Sequence, residues 1–326
     1  MVALFKNRSP ATIIWLFILS LAVHSHFFVD SPTVQPLPHQ GLLSLLLNAY
    51  SSVFLPSTVV YVYHAIIILQ ALRLNYLFTD HRMFNKVNYL VAMVYVLLTG
   101  LVSEWGTLNP ALIANSFIIW LLAKILRLYN SPNPKTLLFN IGLIIGVSAL
   151  CYQPSALLLV VAAFAVLTVR PFAANEWLVL LMGAIAPYYF LASFLYLNSN
   201  ITALISYIPA WKIILPVVRL STNYYVTFFI LITVLLTGVF YWQNDSRTLL
   251  IQVKKYWSVL LFMLLIMLFV PVISKNAGIQ SLLLSLVPAS PFIAKGFLSP
   301  KSAILPALMF WSLLALAVIN TWALFR

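Results

Sequence analysis

Two carboxylates in this sequence have the surroundings that acid–base chemistry requires. Asp30 and Glu104 each follow a long apolar run and have no lysine or arginine beside them. An ionised group at the edge of a membrane segment is costly and is for that reason often functional. An apolar surrounding also raises the pKa of a carboxyl group, which suits it to act as a general base. We therefore take Asp30 and Glu104 as candidate catalytic residues; the simpler alternative is that each begins a turn.

The other three carboxylates have basic neighbours in the chain. We expect ion pairs there rather than catalysis, and exposed pairs of this kind contribute little to stability. The predicted pairs are Asp80 with Arg82, Glu176 with Arg170, and Asp245 with Arg247.

Histidines near Asp30 raise the question of a metal site. His24, His26 and His39 are possible ligands together with Asp30, but the spacing of His24 and His26 does not bring them to one helical face. We favour polar residues at a lipid headgroup boundary as the interpretation, and we predict no metal site. His64 lies inside a later apolar run and is expected to be packed and hydrogen-bonded.

Two cations, Lys212 and Arg219, are seven residues apart in a mostly apolar segment. If this segment is helical, both side chains lie on one face and could bind a lipid phosphate as substrate. Anchoring to anionic headgroups explains the same residues equally well. The sequence contains no P-loop, dinucleotide fingerprint, zinc motif or Ser-His-Asp constellation, so no cofactor is predicted.

The composition decides which class of protein must position these residues. The chain has 326 residues, of which 63% are hydrophobic and only 7% charged, whereas soluble domains have about 25% charged residues. Apolar runs near the roughly 20 residues that cross a bilayer recur with short turns between them. We predict an all-α, polytopic transmembrane helical bundle that forms a single integral membrane domain. The single cysteine, Cys151, excludes an intrachain disulfide and is expected to be buried.

Eleven apolar runs are candidate spans, separated by turns that contain proline, glycine and charged residues. The fifth and sixth are short and contain small residues, which favours close helix packing in lipid. The tenth is the weakest, so the count is about 10–11. The predicted spans cover about residues 11–29, 58–78, 88–102, 110–129, 137–150, 155–169, 177–197, 224–242, 256–273, 280–293 and 302–325.

The distribution of the basic residues orients the bundle. The formal net charge is +13, but the lysines and arginines fall at alternate turns instead of forming one patch, which argues against a nucleic-acid partner. Such alternation marks cytoplasmic loops, so it predicts a bacterial inner-membrane protein with a cytoplasmic N-terminus and an uncleaved first span. Of the eighteen bases, this topology leaves four outside: Lys212, Arg219, Lys275 and Arg326.

The first external loop, residues 24–56, contains no lysine or arginine and is expected to carry a surface helix. Prolines exclude a regular helix early in the loop. Between residues 39 and 54, Gln40, Ser44 and Asn48 recur at helical spacing with leucines on the other side, which predicts an amphipathic helix on the outer membrane surface. A short extra span is the alternative, but the polar stripe and the length disfavour it.

Particular turn residues punctuate the central spans. They are found at residues 70–75, 104–115 and 183–188, at Gly142 and Gly146 before Pro154, at Arg170-Pro171-Phe172 and at Glu176-Trp177. This punctuation resembles a family of multi-pass inner-membrane proteins from Bacteroidota, of the domain-of-unknown-function kind. The resemblance covers about residues 70–190 and implies an inner-membrane location without a particular activity.

The order of three features along the chain is informative: first Asp30, then the predicted surface helix at residues 39–54, and then Glu104. The order is similar to that of polyprenyl-phosphate-sugar-dependent glycosyltransferases of the C superfamily, although here the first loop is short and no soluble outer domain follows. The resemblance implies that Asp30 is the general base that activates an acceptor hydroxyl, and that Glu104 assists or binds a metal. It also implies that Lys212 or Arg219 holds the carrier phosphate.

Two functions from different classes remain open. The first is a glycosyltransferase-like enzyme, surrounded by membrane lipids, that acts at the outer face on a polyprenyl-phosphate-linked sugar. The second is a non-enzymatic scaffold or partner subunit of an envelope complex, favoured by the scarcity of polar residues and the lack of a complete catalytic motif. A transporter would need polar residues within the spans, which offer few beyond His64 and Asn115.

Overall fold

The computed structural model describes residues 1–7, 9, 11–37, 40–51, 53–213, 222–275, 277–300 and 302–322. Across these ranges the chain forms thirteen α-helices and no β-strand, apart from two isolated bridges. The helices are α1 (Val2–Lys6), α2 (Ala11–Val23), α3 (Leu42–Tyr50), α4 (Pro56–Asp80), α5 (Leu90–Thr99), α6 (Pro110–Ile125), α7 (Pro134–Cys151), α8 (Leu158–Val169), α9 (Ala174–Leu197), α10 (Thr222–Asp245), α11 (Ile251–Ile273), α12 (Leu283–Leu298) and α13 (Ile304–Thr321).

Seven of these helices, with flanking helical turns in two cases, are long and apolar enough to cross a membrane, namely α4, α7 and α9–α13. The shorter apolar helices α2, α5, α6 and α8 take the remaining positions among the predicted spans. Each predicted span therefore corresponds to one helix, and the predicted helical membrane bundle is confirmed.

Helix α5 is the centre of the bundle and is shorter than the predicted span 88–102. It has ten residues, all of them buried, and a ten-residue helix is only about 15 Å long. The hydrocarbon core of a bilayer is about 30 Å thick. Helices α2, α4, α12 and α13 pack around α5, so the loops at its two ends lie recessed among longer helices.

The helices run alternately between two ends of the bundle. The Asp30 end comprises the described residues 24–37, 40–51, 53–55, 100–109, 198–213, 274–275 and 277–282. The Arg82 end comprises residues 1–7, 81–89, 126–133 and 246–250. Helix α12 begins beside the Asp30 end, where Trp105 bonds to the carbonyl of Ile279 at 3.1 Å, and ends where Ser299 bonds to Asp245 at 3.0 Å. The weak tenth span therefore passes from one end to the other.

Basic residues are concentrated at the Arg82 end. Of the lysines and arginines in the described ranges, only Lys212 and Lys275 lie at the Asp30 end. This asymmetry follows the alternation seen in the sequence. The cytoplasmic position of the N-terminus depends on the positive-inside rule and stays a prediction.

Helices α7 and α9 pack backbone against backbone. A Cβ atom built on Gly142 would overlap the carbonyl oxygen of Leu180, and one built on Gly183 would overlap that of Phe139. Glycine at both contacts allows this approach, as in many membrane helix pairs. Close packing of the fifth predicted span is thus confirmed, and its partner is α9.

The predicted surface helix exists, but it covers only the nine residues Leu42–Tyr50. Ser44, from the predicted polar stripe, is buried, and its hydroxyl donates to the carbonyl of Leu37. Leu45 and Leu46 are exposed instead. This part of the polar stripe therefore faces the protein, and α3 presents leucines outward, where lipid would cover them.

Candidate functional site

The loop that contains Asp30 and the loop that contains Glu104 are joined by backbone hydrogen bonds. The Gln35 N–H donates to the carbonyl oxygen of Leu108 at 3.0 Å, and the Leu108 N–H donates to that of Thr33 at 3.0 Å. The two bonds form an isolated parallel bridge. Two carboxylates that are distant in sequence therefore belong to one surface at the Asp30 end.

The Glu104 carboxylate is held in place by a tyrosine of α10. The Tyr224 hydroxyl donates to Glu104 Oε2 at 2.6 Å, and the Ser103 hydroxyl donates to the same oxygen at 3.3 Å. The hydroxyl oxygens of Ser103 and Tyr224 are themselves 2.8 Å apart. Glu104 is half-buried, so these bonds give a partly desolvated carboxylate a fixed direction.

Trp105 anchors the same turn, the 3-10 helix Ser103–Trp105, in the bundle. Its side chain is fully buried, and its indole Nε1 donates to the carbonyl of Ile279 at 3.1 Å. Its own carbonyl accepts a hydrogen bond from the Tyr63 hydroxyl at 3.0 Å. The turn that carries Glu104 is therefore fixed by α4, by α10 and by the segment that precedes α12.

Asp30 has the opposite setting. It is exposed and lies just beyond the 3-10 helix Ser25–Phe28, and its N–H donates to the carbonyl of His26 at 2.9 Å. Its carboxylate makes no hydrogen bond or ion pair with any side chain in the described ranges. A free carboxylate can accept a proton from a bound hydroxyl without first losing a partner.

His26 of the Asp30 loop lies against the loop that contains Glu104. Its Nε2 is 3.4 Å from the position that a Cβ atom on Gly106 would occupy, and Gly106 follows Glu104 by two residues. Partial burial lowers the pKa of His26 below its ordinary value, although the charge of Asp30 acts in the opposite direction. Its Nδ1 is buried and lacks a hydrogen-bond partner in the part of the chain that is described. His26 is therefore a neutral, incompletely satisfied ring that senses the charge of Asp30 and lies against the turn that carries Glu104.

The other two histidines of this region are structural. His24 is buried, with Nδ1 3.0 Å from the Ser20 carbonyl and Nε2 3.3 Å from the Tyr63 hydroxyl. The prediction that His24 lies at a headgroup boundary is wrong, because the His24 side chain is buried among other side chains of the bundle. His64 Nδ1 lies 2.8 Å from the Ser20 hydroxyl, which confirms a packed and hydrogen-bonded His64.

A metal site needs several ligands that converge, and the described ranges contain no group of three histidine, cysteine, aspartate or glutamate side chains that could hold an ion. His39, one of the possible ligands, lies outside these ranges. Of the possible histidine ligands, His26 interacts with the charge of Asp30.

Lys212 is exposed at the Asp30 end, beside the end of α11. Its N–H donates to the carbonyl of Ile273 at 3.0 Å, and the Lys275 N–H donates to that of Ala210 at 3.2 Å. These bonds form an isolated antiparallel bridge that brings the backbones of Lys212 and Lys275 together. Nothing in the sequence predicts this pairing. Arg219, the predicted partner of Lys212, lies outside the described residues.

An apolar groove runs between α2 and α4 up to the Asp30 loop. It has a volume of about 610 Å³ and is lined mainly by aliphatic and aromatic side chains. Ser31, Ser57 and His64 contribute its polar atoms, and Ser31 directly follows Asp30 in the chain. The groove is therefore continuous with the segment that presents the free carboxylate.

The remaining carboxylates form one of the three predicted ion pairs. Glu176 accepts two hydrogen bonds from Arg170, each of 3.1 Å, which confirms that pair. The other two assignments are wrong. Asp245 pairs with Lys295 at 3.3 Å instead of Arg247, and Asp80 lies 3.8 Å from His81 instead of pairing with Arg82. Asp245 thus takes its partner from another helix, whereas Asp80 lies against the next residue in the chain.

The candidate site at the Asp30 end thus combines a fixed carboxylate, a free carboxylate, one neutral histidine and an adjoining apolar groove. Tyr224 completes it, and no signal in the sequence distinguished this tyrosine from others near span ends. No protein-family model matches the chain, and no curated protein matches it either.

Proposed function

We propose that this integral membrane protein is a glycosyltransferase-like enzyme that acts on a polyprenyl-phosphate-linked sugar at its Asp30 end. The observation that carries the proposal is the backbone bridge between the two loops, because it puts a free and a held carboxylate on one surface. The apolar groove beside Asp30 supports it, since a polyprenyl chain needs an apolar channel that ends near the reacting group. The excess of bases at the opposite end favours an Asp30 end that faces outward from the inner membrane.

In this proposal Asp30 is the general base. Its carboxylate takes the proton of an acceptor hydroxyl, and the hydroxyl oxygen attacks the anomeric carbon of the donor sugar. The bond between that carbon and the phosphate oxygen breaks, and the polyprenyl phosphate leaves with the bonding electrons.

Glu104 and the cations have binding roles in the same proposal. Tyr224 fixes the direction of the Glu104 carboxylate, which accepts hydrogen bonds from sugar hydroxyls and positions them. Lys212, and Arg219 with it, neutralises the carrier phosphate at the membrane surface. Because none of these groups supplies the proton transfer, their loss weakens binding more than the loss of Asp30 does.

The test is the profile of lipid-linked glycans in a strain that lacks the protein, complemented with the wild type or with Asp30→Asn. Asparagine keeps the size of the side chain and removes the base, so we expect at least about a 100-fold lower rate of sugar-lipid turnover. A polyprenyl-phosphate-linked sugar that the wild type clears should accumulate with Asp30→Asn. Asp80→Asn is the matched control, because it makes the same change at the Arg82 end.

Membrane abundance of each variant separates loss of chemistry from loss of insertion. A stably inserted Asp30→Asn protein that clears the lipid-linked sugar as the wild type does would rule out Asp30 as the base. An unchanged glycan profile in the strain that lacks the protein would rule out the enzyme itself.

A non-enzymatic subunit of an envelope complex is the second candidate. The observation in its favour is the small buried share of α9 and of the α10 segment, 17% of their apolar windows. Two long helices with such open faces could pack against another membrane protein as well as against lipid. Purification in mild detergent that recovers only this chain would count against the subunit role.

A further inference from the structure

A cavity at the Arg82 end is lined by cationic and amide side chains. It has a volume of about 390 Å³ and lies between the end of α4 and the start of α5. Phenylalanine and valine side chains form its apolar part. Its polar side chains include Asn75, Arg82, Asn85, Lys86 and Asn88.

The two cations of this cavity are not neutralised by the protein. Arg82 and Lys86 are exposed, and neither forms an ion pair with the part of the chain that the structure describes. The closest carboxylate in sequence, Asp80, lies against His81 at 3.8 Å. The cavity therefore has a surplus of positive charge that an anion can balance.

A third cation lies behind the cavity wall. The ammonium group of Lys295 is 5.5 Å from the ring centre of Phe84, a lining residue, and 6.0 Å from that of Trp257. Lys295 is buried, and its charge is balanced by Asp245 at 3.3 Å. Because Lys295 already has a carboxylate partner, the surplus charge of the cavity belongs to Arg82 and Lys86.

Buried amides hold the loop that presents these cations. Asn75 Nδ2 donates to the Asn88 carbonyl at 2.8 Å, and Asn88 Nδ2 donates to the Lys86 carbonyl at 2.9 Å. Both asparagines are buried. Arg82 has a φ of 50°, in the left-handed region that non-glycine residues rarely adopt. The loop is therefore held in one defined conformation, which fixes where its two cations leave the backbone.

The cationic cavity adjoins a mostly apolar one on the outside of the bundle. The second cavity, of about 280 Å³, shares Asn75, Thr79 and Val87 with the first. Ile13 of α2 and Tyr76 of α4 line it, and they are 41% and 58% exposed on the outer surface of the bundle. The apolar cavity on the outer surface thus adjoins the cavity that contains the two unpaired cations.

We propose that the two cavities together bind one anionic phospholipid. An acyl chain lies in the apolar cavity between α2 and α4, and the phosphate lies between Arg82 and Lys86. The guanidinium group offers two parallel N–H donors to phosphate oxygens, and the ammonium group adds a further charged donor. This inference is independent of the proposed enzyme activity, which concerns the opposite end of the bundle.

Native mass spectrometry of the full chain in detergent, titrated with phosphatidylglycerol or with the zwitterionic phosphatidylethanolamine, tests the proposal. We expect one phosphatidylglycerol to bind in preference to phosphatidylethanolamine. The double variant Arg82→Gln/Lys86→Gln should bind it about tenfold more weakly, because both charge-assisted contacts are lost. Arg127→Gln/Lys135→Gln is the matched control, since it removes two exposed bases at the same end that do not line the cavity.

A second variant tests the apolar part without changing the charge. Thr79→Trp would block the point where the two cavities meet, and we expect it to lower phosphatidylglycerol binding about as much as the charge variant does. Thr136→Trp, at an exposed position in the first turn of α7, should bind like the wild type. Circular dichroism and micelle-size measurements identify variants that remain folded, and binding is compared among those.

Several outcomes would overturn the proposal. Equal losses in the cavity variant and in its charge-matched control would show nonspecific attraction, and equal binding of the two phospholipids would remove the anionic specificity. Displacement of the lipid by excess inorganic phosphate would show that a free anion, and not a phospholipid, is the ligand. If a folded Thr79→Trp protein bound phosphatidylglycerol like the wild type, the apolar cavity could not be the binding site of the acyl chain.

Discussion

Ion pairs of carboxylates distinguish one end of the bundle from the other in the part of the chain that is described. At the Asp30 end, neutral donors from distant helices bind backbone carbonyls, as Trp105 does at Ile279 and Asn320 does at Leu101, at 2.7 Å. At the Arg82 end, buried or half-buried carboxylates pair with bases, as Asp245 does with Lys295. The first end leaves a carboxylate free, and the second leaves cations free.

This difference determines which chemistry is available at each end. A free carboxylate beside a fixed one is suited to proton transfer and to binding hydroxyl groups. Unpaired cations beside an apolar cavity are suited to binding a phosphate group that carries an acyl chain. Loss of one partner of a buried ion pair should therefore destabilise the Arg82 end strongly, whereas the described residues of the Asp30 end form no ion pair that could be broken.

The largest expected effect is that of Asp245→Ala at the Arg82 end. The Lys295 side chain is only 2% exposed, so the variant leaves a buried ammonium group without its carboxylate. We expect the free energy of unfolding to fall on the order of 3 kcal/mol, measured by detergent-induced unfolding followed by circular dichroism. Arg247→Gln, which removes an exposed charge close to Asp245, should change it little.

The double variant Asp245→Ala/Lys295→Met should recover most of that stability, because neither charge remains. Wild-type stability of Asp245→Ala alone would show that the pair does not hold this end together. The contrast between the two ends would then be lost.

Tyr224→Phe tests the Asp30 end and should have a smaller effect. The variant removes the hydroxyl that donates to Glu104 at 2.6 Å and leaves the ring in place. Since the carboxylate is only half-buried, we expect a loss of about 1–2 kcal/mol and faster modification of Glu104 by a carbodiimide. Tyr225→Phe is the matched control, because Tyr225 is 61% exposed. If both variants lost the same free energy of unfolding, the Tyr224 hydroxyl would not be what fixes the Glu104 carboxylate.

The apolar runs could be predicted because a bilayer imposes one length and one composition on every span. The predicted ends of the spans were less accurate than their positions, because proline sets where several helices begin. Helices α4, α6 and α7 begin at Pro56, Pro110 and Pro134, and proline is favoured at the first helical position. The predicted second and fifth spans began two or three residues later, because only hydropathy was used.

Contacts between the ends of different helices could not be predicted from the sequence. Glu104 and Tyr224 are 120 residues apart, and the chain has sixteen tyrosines, so nothing in the pattern selects this one. Lys295 was counted as an ordinary turn base, yet it is buried because α12 is surrounded on all sides. Charge and hydropathy predict where a residue lies along the membrane normal. Its hydrogen-bond or ion-pair partner depends on how the helices are arranged around α5.

The smallest expected effect concerns pH at the Asp30 end. Burial lowers the pKa of His26 in the folded protein, whereas the unfolded chain has the ordinary value of about 6.5. As the pH falls below about 6.5, the unfolded chain therefore takes up the proton more readily, and the wild type loses stability. His26→Gln lacks this proton uptake, so its unfolding should be less sensitive to pH between about 6.5 and the lowered pKa. Unfolding curves of both proteins at several pH values measure the difference. Parallel pH dependence would show that His26 takes up a proton as readily in the folded bundle as in the unfolded chain, contrary to its partly buried position against the Glu104 loop.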